Sequence, residues 1–305
     1  MTSRKIGGGE VQLTSGDRIY FPAIGLTKAA VVDYYERVAE RMVPHLEGRP
    51  LVMQRFPHGI GGEGFMHKEA PDHFPEWIRR VELAKEGGTI THAVVDSPAA
   101  LVYVANYGCI TPHVWTSRIE PPGVEHPDQM IFDLDPDGDD LAAVPMAAGA
   151  VKALLDEMGV AAYAKSSGSR GIHIHVVLDR SAEFDAVKAL SRAIADEVAA
   201  RHPDRLTTAV RKVERKGRLF IDTLRNAYAQ HAAATYAIRP LPTAPVAVPI
   251  DWDEATSARF DAARVTVGNV FRRLGQKHDP WADMWGSAVS PQSIYEAYEG
   301  VRGAR

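Results

Sequence analysis

The stretch Met130-Ile131-Phe132-Asp133-Leu134-Asp135-Pro136 constrains this chain more than any other. A short apolar run followed by two carboxylates two residues apart reads as the end of a β-strand. Residues i and i+2 of a strand point to the same face, so Asp133 and Asp135 project together. Adjacent carboxylates repel unless a cation sits between them, and divalent Mg²⁺ or Mn²⁺ takes oxygen ligands of this kind. A purely structural reading is an acidic turn after an edge strand, since Asp-Pro-Asp-Gly is good turn chemistry. Two other readings fit less well. As Asp133-x-Asp135-x-Asp137-Gly138 the stretch starts like an EF-hand loop, yet position 12 is Val144 where a bidentate Glu is needed. A phosphatase working through an aspartyl-phosphate would place a small hydroxyl residue where Asp137 stands.

At 305 residues the chain can form one large domain or two intimate ones. Its 45% hydrophobic and 24% charged residues are those of an ordinary globular protein. A net charge of −4 gives no global signature of nucleic acid, so any DNA site must be a local patch. The single cysteine, Cys109, excludes an internal disulfide and a cysteine-rich zinc site, and suits a reducing cytoplasm. No apolar h-region opens the chain, and no apolar run approaches the roughly 20 residues that span a bilayer.

Residues 1–9 read as a flexible tail, and Val11 to Phe21 as a hairpin turning at Ser15-Gly16-Asp17. Thr27 caps a predicted helix with apolar positions Val31, Tyr34, Tyr35, Val38 and Met42. A strand follows at Leu51-Val52-Met53. A second hairpin turns at Lys85-Glu86-Gly87-Gly88, and a helix starts after Asp96-Ser97. The middle of the chain alternates strand and helix. The strand ending at Asp133 and Asp135 is followed by a helix to about Met158, strands at Ala161–Lys165 and Ile172–Leu178, a helix over Ser181–Arg201 and a strand at Leu219–Asp222. Leu241 to Ile250 is proline-rich and extended, and residues 291–305 read as a second tail.

Two further stretches carry chemistry. Lys165-Ser-Ser-Gly-Ser-Arg-Gly-Ile-His-Ile-His175 is a Ser/Gly loop with one arginine that opens into a strand. Small residues let backbone N–H groups approach an anion, and hydroxyls and a guanidinium add charge-assisted bonds to phosphate. A Walker A loop would instead end in Gly-Lys-Ser/Thr before a helix. The bland alternatives are a tight turn and two ordinary imidazoles, His173 and His175. In Arg218-Leu-Phe-Ile-Asp222 a third carboxylate again ends an apolar strand. Three carboxylates from two strands suit two-metal phosphoryl transfer. The basic run Arg211 to Arg218 before it is either a solvated loop or a phosphate contact.

Asp-x-Asp, then Ser-Gly-Ser-Arg-Gly-x-His, then a strand-ending Asp, in that order, resembles the archaeo-eukaryotic primase superfamily. More narrowly it resembles the polymerase domain of bacterial DNA ligase D, from non-homologous end joining, and its stand-alone relatives. Further matching pieces are Tyr20-Phe-Pro, Leu26-Thr-Lys28, Arg55-Phe-Pro-His-Gly, Gly64-Phe-Met-His-Lys68, Leu101-Val-Tyr-Val-Ala-Asn-Tyr-Gly, Tyr236-Ala-Ile-Arg239 and Asp279-Pro-Trp-Ala-Asp283. The resemblance covers about residues 10–290. It implies an α/β (α+β) fold in which two sheets, the catalytic one like that of an RNA-recognition motif, are flanked by helices around a central cleft. It implies a DNA-end-binding part over about 10–125, a catalytic part over about 126–245 and a C-terminal extension over about 246–290.

Residue by residue, the resemblance assigns Asp133, Asp135 and Asp222 to metal binding and catalysis with two Mg²⁺ or Mn²⁺ ions. Ser167, Ser169, Arg170 and His173 match the loop that holds the incoming triphosphate. His113 and Arg239 match nucleotide contacts near the sugar and phosphates. Arg18 and Lys28 match a basic pocket for the 5′-phosphate of a downstream DNA strand. Arg55 and Phe65 match template contacts, and Lys68 joins the DNA-binding set. The pattern departs from its relatives at Arg18 and Arg170, where lysine is frequent, at Met66 in place of a second aromatic, and at Gln54 in place of a basic residue. The implied activity is nucleotidyl transfer from an NTP or dNTP, ribonucleotides preferred, to a primer 3′-end at gapped or broken DNA. The implied partners are that DNA, a separate DNA ligase and an end-binding protein, at the bacterial nucleoid. De novo priming and a non-catalytic end-binding module are the competing readings, and the clustered acids argue against the second. No ligase or phosphoesterase motif is present, so nick sealing is expected of another protein.

Overall fold

The computed structural model describes every residue except Met1, Gly8, Asp137, Asp139 and Arg305. The acidic turn read at Asp137, and the outermost residues of both expected tails, therefore lie outside the described residues.

In chain order the elements begin with β1 (Thr2–Ile6), β2 (Gly9–Leu13), β3 (Ile19–Phe21), β4 (Leu26–Thr27), α1 (Lys28–Met42), β5 (Leu51–Arg55), β6 (Phe65–His67), β7 (Arg80–Lys85), β8 (Gly88–Ala93), α2 (Pro98–Asn106) and β9 (Cys109–Trp115). They continue with β10 (Gln129–Asp135), α3 (Ala143–Glu157), β11 (Tyr163–Ser166), β12 (Ile172–Val177), α4 (Phe184–Arg201), β13 (Leu206–Thr207), α5 (Lys212–Arg215) and β14 (Leu219–Asp222). The last are β15 (His231–Ala233), β16 (Pro249–Ile250), α6 (Trp252–Ala255), α7 (Val270–Gln276) and α8 (Pro291–Gly303). They form two compact units: Met1–Pro121 with His231–Ala247 and Val265–Val270, and Pro122–Gln230 with Val248–Arg264 and Phe271–Arg305. The chain thus crosses between units several times, where the sequence suggested consecutive parts.

The second unit is built on a β-α-β-β-α-β run, β10-α3-β11-β12-α4-β14. Its strands lie in the order β14-β10-β12-β11, all antiparallel. Numbered within the run this is 4-1-3-2, the sheet order of an RNA-recognition motif. The short strand β13 extends one edge in parallel, and β16 extends the other antiparallel. β12 is buried at every position, and Phe184, Val187, Leu190, Ile194 and Val198 of α4 are buried as their spacing predicts. Trp281 and Met284 pack on Val177, and the Trp281 indole N–H donates to the carbonyl of Ala164 at 3.0 Å, so residues near the C-terminus complete this core.

The first unit carries a four-stranded antiparallel sheet, β15-β9-β5-β6, with α1, α2 and the β7–β8 hairpin. Val31, Tyr34, Tyr35, Val38 and Met42 of α1 are all buried.

Three local expectations differ from the structure. Val11–Phe21 is not a hairpin: β2 pairs with β1, and β3 pairs with β4. The 15–18 turn is instead docked on the start of α1, with the Lys28 and Ala29 N–H groups donating to the carbonyls of Arg18 and Gly16. The expected N-terminal tail contains β1, anchored by Arg4, which pairs with Asp33 and Glu36 of α1 at 2.5 and 2.7 Å. The expected C-terminal tail contains α8, capped by Ser290 and buried through Ile294 and Tyr298. Among the described residues no helix is long and apolar enough to cross a membrane.

Gly171, at the entrance to β12, faces the backbone of β10: a Cβ there would lie 2.1 Å from the carbonyl oxygen of Leu134. Backbone cannot yield as a side chain does, so Gly171→Ala should lower unfolding stability by about 1–3 kcal/mol. Chemical denaturation of the two proteins checks this.

Candidate active site

Lys165, His173, Asp133 and Asp222 are successive cross-strand partners on β11, β12, β10 and β14. Directly opposed residues share a face, so the four form one row across the sheet. Asp135 follows two residues along β10, on the same face, opposite Phe220. Strand register therefore brings Asp222, 87 residues beyond Asp135, to the pair Asp133 and Asp135, with Asp133 central.

Each carboxylate has a counter-charge or a donor. Asp133 Oδ1 lies 3.5 Å from His173 Nε2, and Asp133 Oδ2 lies 3.5 Å from Arg225 Nε. Asp135 Oδ2 lies 3.7 Å from Arg215 Nη1. Asp222 Oδ1 accepts the Leu224 N–H at 2.7 Å. Partial desolvation and the Asp133 charge push the Asp135 carboxyl above its usual range, against the pull of Arg215, Arg170 and Lys212. Asp222 is likewise pushed up, by burial first and by Asp133 and Asp135 with it, against the Leu224 N–H and Arg225.

Among the described residues no three His, Cys, Asp or Glu side chains are gathered as a ready-made metal cage; the carboxylates turn toward the arginines and His173 instead. The donor set nonetheless fits a hard divalent cation. It offers only carboxylate oxygens, and two of the three groups are held above their normal range by burial and mutual repulsion, which an added cation relieves.

The Ser/Gly loop adjoins this row. Ser167 is buried, and its Oγ accepts the N–H groups of Ser169 and Gly171 at 3.2 and 3.0 Å, while its own N–H donates to the Gly171 carbonyl. These two N–H groups close the loop on itself, because Ser167 supplies the acceptor. Gly168 turns the chain with φ of +65°. Arg170 is left exposed, its charge within reach of Asp135.

The remaining predicted residues belong to the first unit. His113, on β9, sits with its Nδ1 3.2 Å from that of His231. Arg239 follows the buried Ile238, its backbone N–H bonded to Pro245. Arg55 donates from Nε and Nη2 to the Tyr107 carbonyl, and its guanidinium lies 3.6 Å over the Tyr107 ring and 5.3 Å from the Phe65 ring centroid. Phe65 is 46% exposed, and Lys68 is exposed two residues beyond β6's Met66. Lys28 is buried, its Nζ donating to the carbonyl and hydroxyl of Thr14 at 2.7 and 2.9 Å. Arg18 donates to the Pro57 carbonyl at 2.7 Å and lies close enough to lower the Lys28 pKa. Arg18 stands in the turn before β3, not on a hairpin. The first N–H groups of α1 are not open to an anion either: those of Lys28, Ala29 and Ala30 are taken by Arg18, Gly16 and the Thr27 cap.

Comparison with known proteins decides the lineage. Residues 27–281 match the family model of the LigD primase-polymerase domain. The chain belongs to this family. It is 33% identical over 245 residues to the multifunctional non-homologous end joining protein LigD of Mycolicibacterium smegmatis, covering 80% of this chain and 32% of that protein. It is 31% identical to the LigD of Pseudomonas aeruginosa, covering 91% of this chain and 33% of that protein. The chain thus spans about a third of the length of these curated relatives. Among solved structures, the polymerase domain of Mycobacterium tuberculosis ligase D in complex with DNA superposes with a TM-score of 0.85 at 29% identity, covering 92% of this chain and 99% of that one.

In this member of the LigD primase-polymerase family three site neighbours escaped sequence reasoning. Lys165 was visible as the residue before the Ser/Gly loop, and strand register makes it part of the row. Arg215 lay in the basic run already noted. Arg225, three residues after Asp222, carried no signal of its own.

The row also bears on stability. Asp222 is raised in the folded state, so its ionisation costs folding energy above the ordinary carboxylate range and nothing at pH values where both states are protonated. Asp222→Asn, which keeps an acceptor for Leu224, should therefore raise the melting temperature in metal-free buffer at neutral pH. The gain should vanish as pH falls through the carboxylate range, which thermal scans from pH 3 to 7.5 would show.

Proposed function

We propose that this chain is a metal-dependent nucleotidyltransferase that adds nucleotides, ribonucleotides preferentially, to primer 3′-ends at gaps or breaks in DNA. The observation that carries the reading is the row Lys165, His173, Asp133, Asp222, with Asp135 beside it, on a sheet of RNA-recognition-motif order. A module that only bound DNA would gain nothing from three clustered acids near phosphate. Family membership and the DNA bound to the solved relative support a DNA substrate.

Asp133, Asp135 and Asp222 would hold two Mg²⁺ or Mn²⁺ ions. Such ions lower the pKa of an attacking hydroxyl and neutralise charge on the transferring phosphate. The protein supplies position and charge. Arg170, exposed on a loop that Ser167 holds closed, pairs with the triphosphate, and Ser169 adds a hydroxyl. His173 positions Asp133. His113 is assigned to the sugar, beside the 2′-hydroxyl, and Arg239 to the phosphates. Arg55, Phe65 and Lys68 present a cation and an exposed ring to the template strand, a combination that stacks on bases. A separate ligase and an end-binding protein complete the repair.

Asp133→Ala and Asp135→Ala should each abolish primer extension on gapped DNA, with NTPs and with dNTPs, while DNA affinity stays near that of the unmutated chain. Extension at an undiminished rate by either variant would remove these residues from the chemistry. The same assay on the unmutated chain, run with NTP against dNTP and with unprimed template, tests ribonucleotide preference and primer dependence.

Arg18 and Lys28 form a candidate pocket for the 5′-phosphate of the downstream strand. Burial and the Arg18 charge lower the Lys28 pKa to about 8. The ammonium that attracts phosphate is therefore present below about pH 8 and lost above it, although a bound anion shifts the transition upward. Gapped DNA with a 5′-phosphate should bind more tightly than its 5′-hydroxyl counterpart at pH 7, and the ratio should shrink by pH 9.5. Arg18→Ala, Lys28→Ala should erase it at both pH values and leave weak, salt-sensitive binding. Gel shifts with the two DNA ends measure the ratio.

A further inference from the structure

We propose that Arg225 is a tethered counter-cation of the carboxylate row, which competes with a divalent ion for Asp133 and withdraws when the ion binds. The inference rests on the metal-dependent reading above and goes beyond it by naming a group that opposes the ion.

Asp133 is the centre of the row, with His173 on one side and Asp222 on the other. Its Oδ1 is shared with His173, so Oδ2, 3.5 Å from Arg225 Nε, is the oxygen that an incoming cation must contest. The guanidinium also acts on Asp222. One side chain thus partly neutralises two of the three acids.

The backbone of Arg225 is held by its neighbours, while among the described residues its guanidinium has one ion pair, with Asp133. It sits in the helical turn Leu224–Asn226 that follows β14. Asn226 pins that turn to β10: its Oδ1 accepts the Ile131 N–H at 2.7 Å and its Nδ2 donates to the Ile131 carbonyl at 2.8 Å. Leu224 is pinned to Asp222. The Arg225 side chain is 36% exposed, and among the described residues no hydrogen bond holds its guanidinium elsewhere. An ion pair this loose and this solvated is weak. A divalent ion with twice the charge and shorter contacts displaces it.

Arg215 gives the contrast. It is buried, donates to the carbonyls of Ala209 and Val210, and stacks 4.0 Å over the Phe220 ring. These contacts hold its guanidinium beside Asp135 in this structure. Among the described residues Arg225 has only the pair with Asp133 to give up, and a guanidinium released from it would keep its donors for a polyphosphate.

The test is Mn²⁺ binding to the whole chain, without nucleotide or DNA, by electron paramagnetic resonance and calorimetry. Arg225→Gln should bind Mn²⁺ about two- to fivefold more tightly than the unmutated protein, as expected when a solvated ion pair no longer has to be broken. Arg225→Lys, which keeps the charge, should stay near the unmutated affinity, and Asp133→Asn should lose the site. Binding that Asp133→Asn abolishes but Arg225→Gln leaves unchanged or weakens overturns the inference alone. Equal tightening in Arg225→Gln and Arg225→Lys overturns it too, since charge is then not the cause. Absence of Mn²⁺ binding, or binding indifferent to Asp133→Asn, overturns the metal reading and this inference with it.

Discussion

Repulsion among three carboxylates on one face of a sheet is the constraint that the second unit is built to bear. Like charges held on one face of a sheet cost folding energy unless partners offset them, and the whole stability of a domain is only about 5–15 kcal/mol. The cost is met locally by His173, Arg225, Arg215 and the Leu224 N–H. It is not met in full, because Asp135 and Asp222 both remain above their ordinary range. In the proposed function, what is left over is what an added cation would relieve.

Holding that arrangement requires register more than composition. A one-residue slip of β12 or β14 against β10 would turn His173 or Asp222 to the opposite face. Two devices prevent it. Gly171 lets the chain entering β12 touch the backbone of Leu134. Asn226 bonds both backbone groups of Ile131, standing in for a ladder partner where β14 has ended. Placing β10 inside the sheet gives Asp133 neighbours on both sides, which an edge strand could not do. The reading of the stretch as an acidic turn after an edge strand fails for this reason.

Much of this was legible in the residues. Period-two alternation exposed Asp133 and Asp135 as a same-face pair, and the apolar run before Asp222 announced a strand ending in an acid. The spacing of Phe184, Val187, Leu190, Ile194 and Val198 fixed the buried face of α4. Register was not legible, since no short turn joins β12 or β14 to β10, and so Lys165 could not be placed in the row. Arg225 was invisible because an arginine in a solvated turn looks like any other. β1 was missed because Thr2-Ser-Arg-Lys-Ile6 has no apolar alternation; Arg4 holds it through acids on α1, a tertiary effect. The bonds from Ser169 and Gly171 N–H to the Ser167 hydroxyl were not legible either, because composition does not say which acceptor an N–H group meets.

The same electrostatic logic, with the sign reversed, distinguishes Lys28. An ammonium at the first position of a helix opposes the helix dipole. It is desolvated, and it has Arg18 as a like-charged neighbour. Hydrogen bonds to Thr14 take two of its three protons but bring no negative charge. A residue chosen for stability alone would be neutral there. Two like cations kept together in one unit, and three like anions kept together in the other, are the positions proposed above for a terminal phosphate and for metal ions. Positions that break the rules of folding energy in this way are where binding free energy is stored.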